Sequence, residues 1–303
     1  MKLPEKLYVA ENCPREGWQK YKCFIPTESK IRIIKSMVDY GAKDIELGIF
    51  SASPKLNWQF TDLPEVAEAM RDYTQDKNVA LSAQVDDYDT CLQARDAGFE
   101  YLHFFVSASE KFGDVIAGKT YMYSIHELEK AMGLGLNVSI GFGAALGCPF
   151  GGEVTDEHVL ELIRIVDGLG VQRVSLADSG GLCAPAHLYD LLIKVGEHYD
   201  INKVGVHLHQ TRGMGLANAV TALQLGVNHI DGALGAMGGC PFIPGAKGNI
   251  ATEDLVNMCV SMGMKCDIDL DKAIDASLTM CELIDAPIIS SMAGIRHSAA
   301  ANK

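Results

Sequence analysis

What this 303-residue chain lacks narrows its class before any motif is read. It has no C-x-x-C pair. Its nine cysteines, Cys13, Cys23, Cys91, Cys148, Cys183, Cys240, Cys259, Cys266 and Cys281, are odd in number and scattered, which fits free thiols in a reducing cytoplasm and not a disulfide framework. No apolar run approaches the length that spans a bilayer. The opening Lys2-Leu3-Pro4-Glu5-Lys6-Leu7 has neither the apolar centre of a secretory signal nor the Arg-rich, acid-poor character of a transit peptide, so the expected location is the cytoplasm. Basic residues are in deficit: 26 Lys and Arg face 39 Asp and Glu, a formal charge of −13. Such a field repels polyanions, so neither nucleic acid nor a membrane is an expected partner, and an anionic small substrate needs cations placed locally. Absent too is any Pro/Ser-rich linker, low-complexity tract or charge block of the kind that marks a domain boundary.

What is present is an alternation of strand-length apolar runs with segments of helical period. Eight runs read as strands, at 7–10, 44–50, 79–85, 101–107, 137–142, 173–178, 204–209 and 229–233. Between them, segments 28–40, 62–73, 87–97, 125–132, 155–169, 185–195 and 214–225 carry apolar residues three and four apart. Start and stop signals flank several: Thr27 or Ser29 before the first, Thr155 before another, and Gly41, Gly98, Gly170 and Gly226 after others. Eight such repeats predict a (β/α)8 TIM barrel, closed by right-handed crossovers. A doubly wound sheet would want a Gly-rich phosphate turn after its first strand, and Asn12-Cys13-Pro14-Arg15-Glu16-Gly17 is not one. Segments 252–262 and 270–284 read as further helices. The expectation is one catalytic domain over residues 1–303, with a helical C-terminal extension from about 251 to 303 packed on the barrel.

In a barrel the carboxyl ends of the strands converge on one mouth, so the polar residues at those ends are the candidates for chemistry. The run 203–210 alternates apolar and polar residues, which puts His207 and His209 on one side of a strand. Arg15 and Glu16 follow the first strand, Glu46 lies on the second, Asp178 ends the sixth and Asn249 follows the eighth. Glu16, His207, His209 and Asn249 form a mixed oxygen and nitrogen set that suits a divalent metal with open positions, Mg²⁺ or Mn²⁺ before Zn²⁺. Each residue has a plainer reading. The histidines can be hydrogen-bonded core residues, Glu46 and Asp178 salt-bridge partners, with Arg15 paired to one of them, and Asn249 a cap for the helix over 252–262. Cys240 sits among glycines and prolines, in a loop where a thiol is more readily a reactive group than packing.

Several stretches together resemble the 3-hydroxy-3-methylglutaryl-CoA lyases, members of a wider group of metal-dependent barrels that includes isopropylmalate synthases and pyruvate aldolases. They are Pro14-Arg15-Glu16-Gly17, Ser53-Pro54-Lys55, Ala145 through Phe150, Ser175-Leu176-Ala177-Asp178, His207-Leu208-His209 and Gly238-Gly239-Cys240-Pro241 through Gly248-Asn249 to Leu255. The resemblance implies that Arg15 neutralises an enolate oxygen, that Glu16, His207, His209 and Asn249 hold the metal, with His207 also catalytic, and that Asp178 and Glu46 orient or deprotonate the substrate hydroxyl. It further implies Cys240 on a mobile loop assisting proton transfer, Lys22 near the coenzyme A phosphates, and a homodimer.

Three departures stand out. The family's Arg-Asp-Gly is Arg15-Glu16-Gly17 here, a carboxylate one methylene longer. After His-x-His the chain has Gln210-Thr211-Arg212-Gly213, which removes an anion and adds a cation at the mouth, suiting a substrate with an extra carboxylate. The stretch around Asp178 continues as Ser179-Gly180-Gly181. The leading expectation is a metal-dependent lyase for a 3-hydroxy-3-substituted acyl-CoA or a related hydroxy-dicarboxylic acid. Alternatives are an aldolase or acyl-CoA condensing synthase acting on 2-oxo acids, and a binding protein with a decayed site.

Overall fold

The computed structural model describes residues 2–301 apart from Pro241 and Pro244. Eight parallel strands close into a barrel in chain order: β1 (Tyr8–Glu11), β2 (Asp44–Ile49), β3 (Ala80–Val85), β4 (Tyr101–Ser107), β5 (Asn137–Gly143), β6 (Val174–Asp178), β7 (Val204–Leu208) and β8 (His229–Gly232). Closure is by β8 against β1, with Ala10 beside Asp231. The helices are α1 (Thr27–Asp39), α2 (Pro54–Asn57), α3 (Leu63–Thr74), α4 (Tyr88–Asp96), α5 (Glu110–Ala117), α6 (Tyr121–Met132), α7 (Asp156–Gly168), α8 (Pro185–His198), α9 (Gly215–Gln224), α10 (Thr252–Ser261), α11 (Leu270–Ile284) and α12 (Ser291–Ala301). The expected strands and helices sit within a few residues of their predicted bounds, while α2, α5 and α12 were not anticipated. Gly113 interrupts the apolar spacing of α5, and α12 is mostly Ala, Ser and polar residues.

Capping explains several of the boundaries. Thr155 Oγ1 accepts from His158 N at 3.2 Å and starts α7 as expected, and Asp87 and Thr90 form a reciprocal cap on α4. Thr27 does not cap α1. It is the first helical residue, and its hydroxyl donates to Asp62 Oδ2 at 2.8 Å, tying α1 to the start of α3.

Strand residues alternate between two environments. Those facing the helices, such as Ile45, Leu47, Phe104, Ile140, Phe142, Leu176 and Val206, are buried and apolar and form the core between barrel and helices. Those facing the axis are mostly polar or small, among them Asp44, Glu46, Ser82, His103, Ser139, Arg173, Ser175, His229 and Asp231, with Tyr101 and Phe105 as aromatic exceptions on β4. Barrel interiors are commonly filled by layers of branched apolar side chains. Here small residues leave a cavity of about 440 Å³ along the lower axis, crossed at its base by an Arg173 bridge to Asp44 (2.8 Å) and His229 (2.8 Å).

α10 and α11 pack on each other, α12 packs on both, and α11 also contacts α1 and the turn after β8. Glu253, in the first turn of α10, is fully buried, and its Oε2 accepts from Gly235 N at 3.2 Å. Burial raises its pKa from 4.5 to about 7. Between these values the folded state keeps a proton that the unfolded state has released, so this residue's contribution falls as pH rises through the interval, by on the order of 3 kcal/mol in full. Glu253→Gln is therefore expected to gain stability over the native chain at about pH 8 and to gain little at about pH 5. Urea unfolding midpoints at the two pH values check this, and an equal change at both would refute it.

Candidate active site

β7 ends at Leu208, one residue earlier than expected, yet its alternation continues through a single bridge between His209 and Asn249. Backbone bonds lace the two segments together: Gln210 N donates to Gly248 O at 2.8 Å, and Ile250 N to Leu208 O at 3.2 Å. This carries Asn249 to the end of β7 and answers the capping alternative, since the residue before α10 is Ala251 and no side chain caps that helix. Asn249 Nδ2 donates to Met237 O at 3.4 Å, while its Oδ1 is buried without a partner.

Pro14 opens a single wide helical turn, Cys13–Gly17, directly after β1 and aims Glu16 into the mouth. Glu16 Oε2 lies 3.0 Å from His207 Nε2 and Oε1 lies 2.9 Å from His209 Nε2. The two imidazole nitrogens are 3.0 Å apart, and one ligand atom from each of the three residues falls within 4.8 Å of the others. The longer carboxylate thus spans both histidines. Two converging imidazoles, a carboxylate and an unpartnered amide oxygen fit a divalent cation with mixed donors. Gly238, at φ +127°, lets the loop after β8 pass over this cluster, because a Cβ there would lie 2.7 Å from Asn249 Nδ2.

Asp231, on β8, completes the arrangement. Its Oδ2 lies 2.9 Å from His207 Nδ1 and accepts from Asn12 Nδ2 at 3.1 Å. His207 therefore carries its proton on Nδ1 and turns Nε2 to the cluster, the orientation a metal-ligating imidazole needs. Burial opposes charge on His207, but the Glu16 and Asp231 carboxylates outweigh it and raise its pKa to about 10. Burial likewise disfavours the Glu16 anion, and the two imidazoles with Arg15 reverse that, holding the carboxyl well below its usual range.

Arg15 lines the mouth, pinned by Glu46 Oε2 at 3.0 Å and Glu16 Oε2 at 3.5 Å. The pairing of Arg15 with Glu46 is the plainer of the two readings given above, and Glu46 faces the axial cavity below. Cys240 lines the mouth with Phe242, and burial raises its pKa to about 11, so the group is a protonated thiol at neutral pH. Pro241 and Pro244 of its loop fall outside the described residues.

Four expected residues lie elsewhere. Asp178 is fully buried, and its two carboxylate oxygens accept from Leu182 N (2.7 Å) and Cys183 N (3.1 Å). It stands one position out of phase with Ser175, Ala177 and Ser179, which point into the barrel, so it fixes the loop after β6 and does not line the mouth. Arg212 is exposed and donates from Nη1 to Gly180 O at 2.7 Å, strapping the loop after β7 to that same loop. Gln210 packs against the start of α9, where a Cβ on Gly215 would lie 2.6 Å from its Oε1. Neither Gln210 nor Arg212 lines the cavity. Lys22 is exposed outside the mouth.

The mouth cavity, about 90 Å³, also takes in Gln84, Asp86, His103 and Asp231, none of which was anticipated. The signal for Asp231 and His103 was in the sequence: each alternates with buried apolar neighbours, Ile230 for one and Leu102 and Phe104 for the other.

A family model described as HMGL-like matches residues 6–280. Curated relatives include the cytoplasmic 3-hydroxy-3-methylglutaryl-CoA lyase of Mus musculus, 32% identical over 96% of this chain and 85% of that protein. Another is a hydroxymethylglutaryl-CoA lyase of Bacillus subtilis, 32% identical over 96% of this chain and 97% of that protein. Among solved structures, the Bacillus subtilis HMG-CoA lyase superposes with a TM-score of 0.92 at 31% identity, covering 98% of this chain and 100% of that one. An HMG-CoA lyase from Acinetobacter baumannii in complex with coenzyme A and 3-methylmalate gives 0.90 at 32% identity, covering 96% and 95%.

If Asp231 orients His207, Asp231→Asn weakens Mn²⁺ binding by about 10–100-fold with the fold intact. Titration of the purified protein with Mn²⁺ checks this, with His209→Ala as the reference for loss of a direct ligand. An affinity equal to that of the unaltered protein would remove the orienting role.

Proposed function

From the membership of this chain in the HMGL-like family, we propose that it is a carbon–carbon lyase that cleaves a 3-hydroxy-3-substituted acyl-CoA, hydroxymethylglutaryl-CoA or a relative, to acetyl-CoA and a 3-oxo acid. The observation that carries this reading is the Glu16 carboxylate set between His207 Nε2 and His209 Nε2 at the barrel mouth, with the Asn249 carbonyl oxygen unpartnered beside it. A divalent ion held by those four residues, Mg²⁺ or Mn²⁺ before Zn²⁺, supplies Lewis acidity that lowers the pKa of a hydroxyl.

The chain's own groups do the rest. Cleavage of the bond between C2 and C3 leaves negative charge on the thioester oxygen, and Arg15, held in place by Glu46, is the cation fixed at the mouth to meet it. The Cys240 thiol, protonated at neutral pH, is a proton source for the enolate carbon once the loop excludes water. Lys22, exposed to solvent, is the cation this reading assigns to the coenzyme A phosphates. A homodimer in the cytoplasm, acting on small acyl-CoA molecules, completes the reading.

Incubation with hydroxymethylglutaryl-CoA, followed by release of acetyl-CoA, tests it. Exhaustive chelation should abolish turnover and added Mn²⁺ should restore it, whereas undiminished turnover after chelation would sink the metal-dependent mechanism. Cys240→Ala should slow turnover by about a hundredfold or more while bound metal stays at the native level.

A further inference from the structure

Resting on the lyase reading, we propose that His103 accepts the proton of the substrate's tertiary hydroxyl. Its side chain lines both the mouth cavity and the axial cavity, so it forms the floor between them. Ser139 Oγ donates to Leu102 O at 3.3 Å, and with its hydrogen so placed it offers a lone pair to His103 Nδ1 at 3.1 Å. That bond puts the imidazole proton on Nδ1 and leaves Nε2 as the basic nitrogen. Nε2 is turned toward Gly141, the next inward position up β5 and itself part of the mouth wall, where an added Cβ would lie 2.3 Å away. β5 is therefore trimmed at the one place the imidazole has to occupy, and its basic nitrogen faces the site.

The other ionisable acceptors lining the mouth are engaged. His207 meets the metal cluster with Nε2 and Asp231 with Nδ1, and Glu16 spans the two histidines. Asp86 is paired with Lys119 Nζ at 3.1 Å, Asp178 lies outside the mouth on loop amides, and Glu46, below the mouth, engages its Oε2 with Arg15. Burial keeps the His103 imidazole neutral even though Glu46 and Asp231 favour its charged form, with Arg15 and Arg173 opposing them.

The substrate decides what this nitrogen meets. At neutral pH the carboxylate and thioester of a 3-hydroxy-3-alkyl acyl group can only accept hydrogen bonds, and the tertiary hydroxyl is the group that donates. As its proton passes to Nε2, the oxygen lone pair becomes the new C3 carbonyl and the bond between C2 and C3 breaks. The bonding electrons form the thioester enolate beside Arg15. The enolate carbon then takes the Cys240 proton, and the imidazolium returns its own proton to the thiolate, so the site is reset.

The test compares His103→Gln and His103→Leu with the native protein, all Mn²⁺-loaded. Turnover of hydroxymethylglutaryl-CoA should fall by about a hundredfold or more in both, since a glutamine carbonyl at this position accepts a hydrogen bond but not a proton. Metal content, thermal midpoint and competitive inhibition by 3-methylglutaryl-CoA, which lacks the hydroxyl, should stay within about twofold of native. Ser139→Ala should lose roughly tenfold in turnover, as expected for removing one neutral hydrogen bond. Turnover of His103→Gln within about threefold of native would overturn the assignment, as would a fall in 3-methylglutaryl-CoA binding parallel to the loss of turnover. A native protein that cleaves nothing would instead bring down the lyase reading, and this assignment with it.

Discussion

One buried carboxylate holds the catalytic end of the barrel together. Glu11, the last residue of β1, is fully buried and receives four hydrogen bonds: from Tyr40 Oη and Thr252 Oγ1 at 2.6 Å each, from Cys13 N at 3.0 Å and from Leu234 N at 2.9 Å. A carboxylate this deep is costly unless its lone pairs are filled, and here donors from four separate stretches fill them. Burial raises its pKa and the four donors pull the other way, so the burial cost and the network are parts of one balance. The consequence is geometric. The turn that carries Arg15 and Glu16 and the chain leading to Cys240 start from the same anchored point, and α10 is anchored with them.

From that anchor the metal cluster follows by short paths. Glu16 lies five residues beyond Glu11, and its two oxygens each meet one of the imidazoles. Asn249 arrives from the far side, laced onto the end of β7 by backbone bonds. The cluster is supported from beneath by Asp231 and Asn12, so His207 has no freedom to choose its tautomer. A decayed site would have no reason to keep this second layer intact.

The interior of the barrel belongs to the same design. With Ser82, Ser139 and Ser175 where branched side chains commonly stack, the axis is polar, and ionisable groups can sit on it without facing hydrocarbon. Arg173, Asp44 and His229 close the base of that column, and Asp231 and His103 link it to the mouth. Stability then rests on the apolar layer between strands and helices, which leaves the axis free for chemistry.

Much of this was legible in the sequence. Apolar periodicity located eight strands and their helices, and the alternation through Val206-His207-Leu208-His209 placed both imidazoles on one side, because a strand's period of two is a local property of the backbone. Glu16, Cys240 and Asn249 could be nominated from residue type and position along the chain. What the sequence did not decide was phase at strand ends and the course of loops. Asp178 and Ser179 are equally polar neighbours, and only the register of the closed barrel turns the serine inward and the aspartate to the loop amides. Arg212 and Gln210 bear the charge and polarity of substrate contacts, yet the turn they occupy bends them toward Gly180 and Gly215. Asp231 and His103 gained their partners, His207 and Ser139, only when strands distant in sequence became neighbours. Local order along the chain set which side chains were available, and closure of the sheet, a long-range constraint with no signature in any single segment, chose which of them meet.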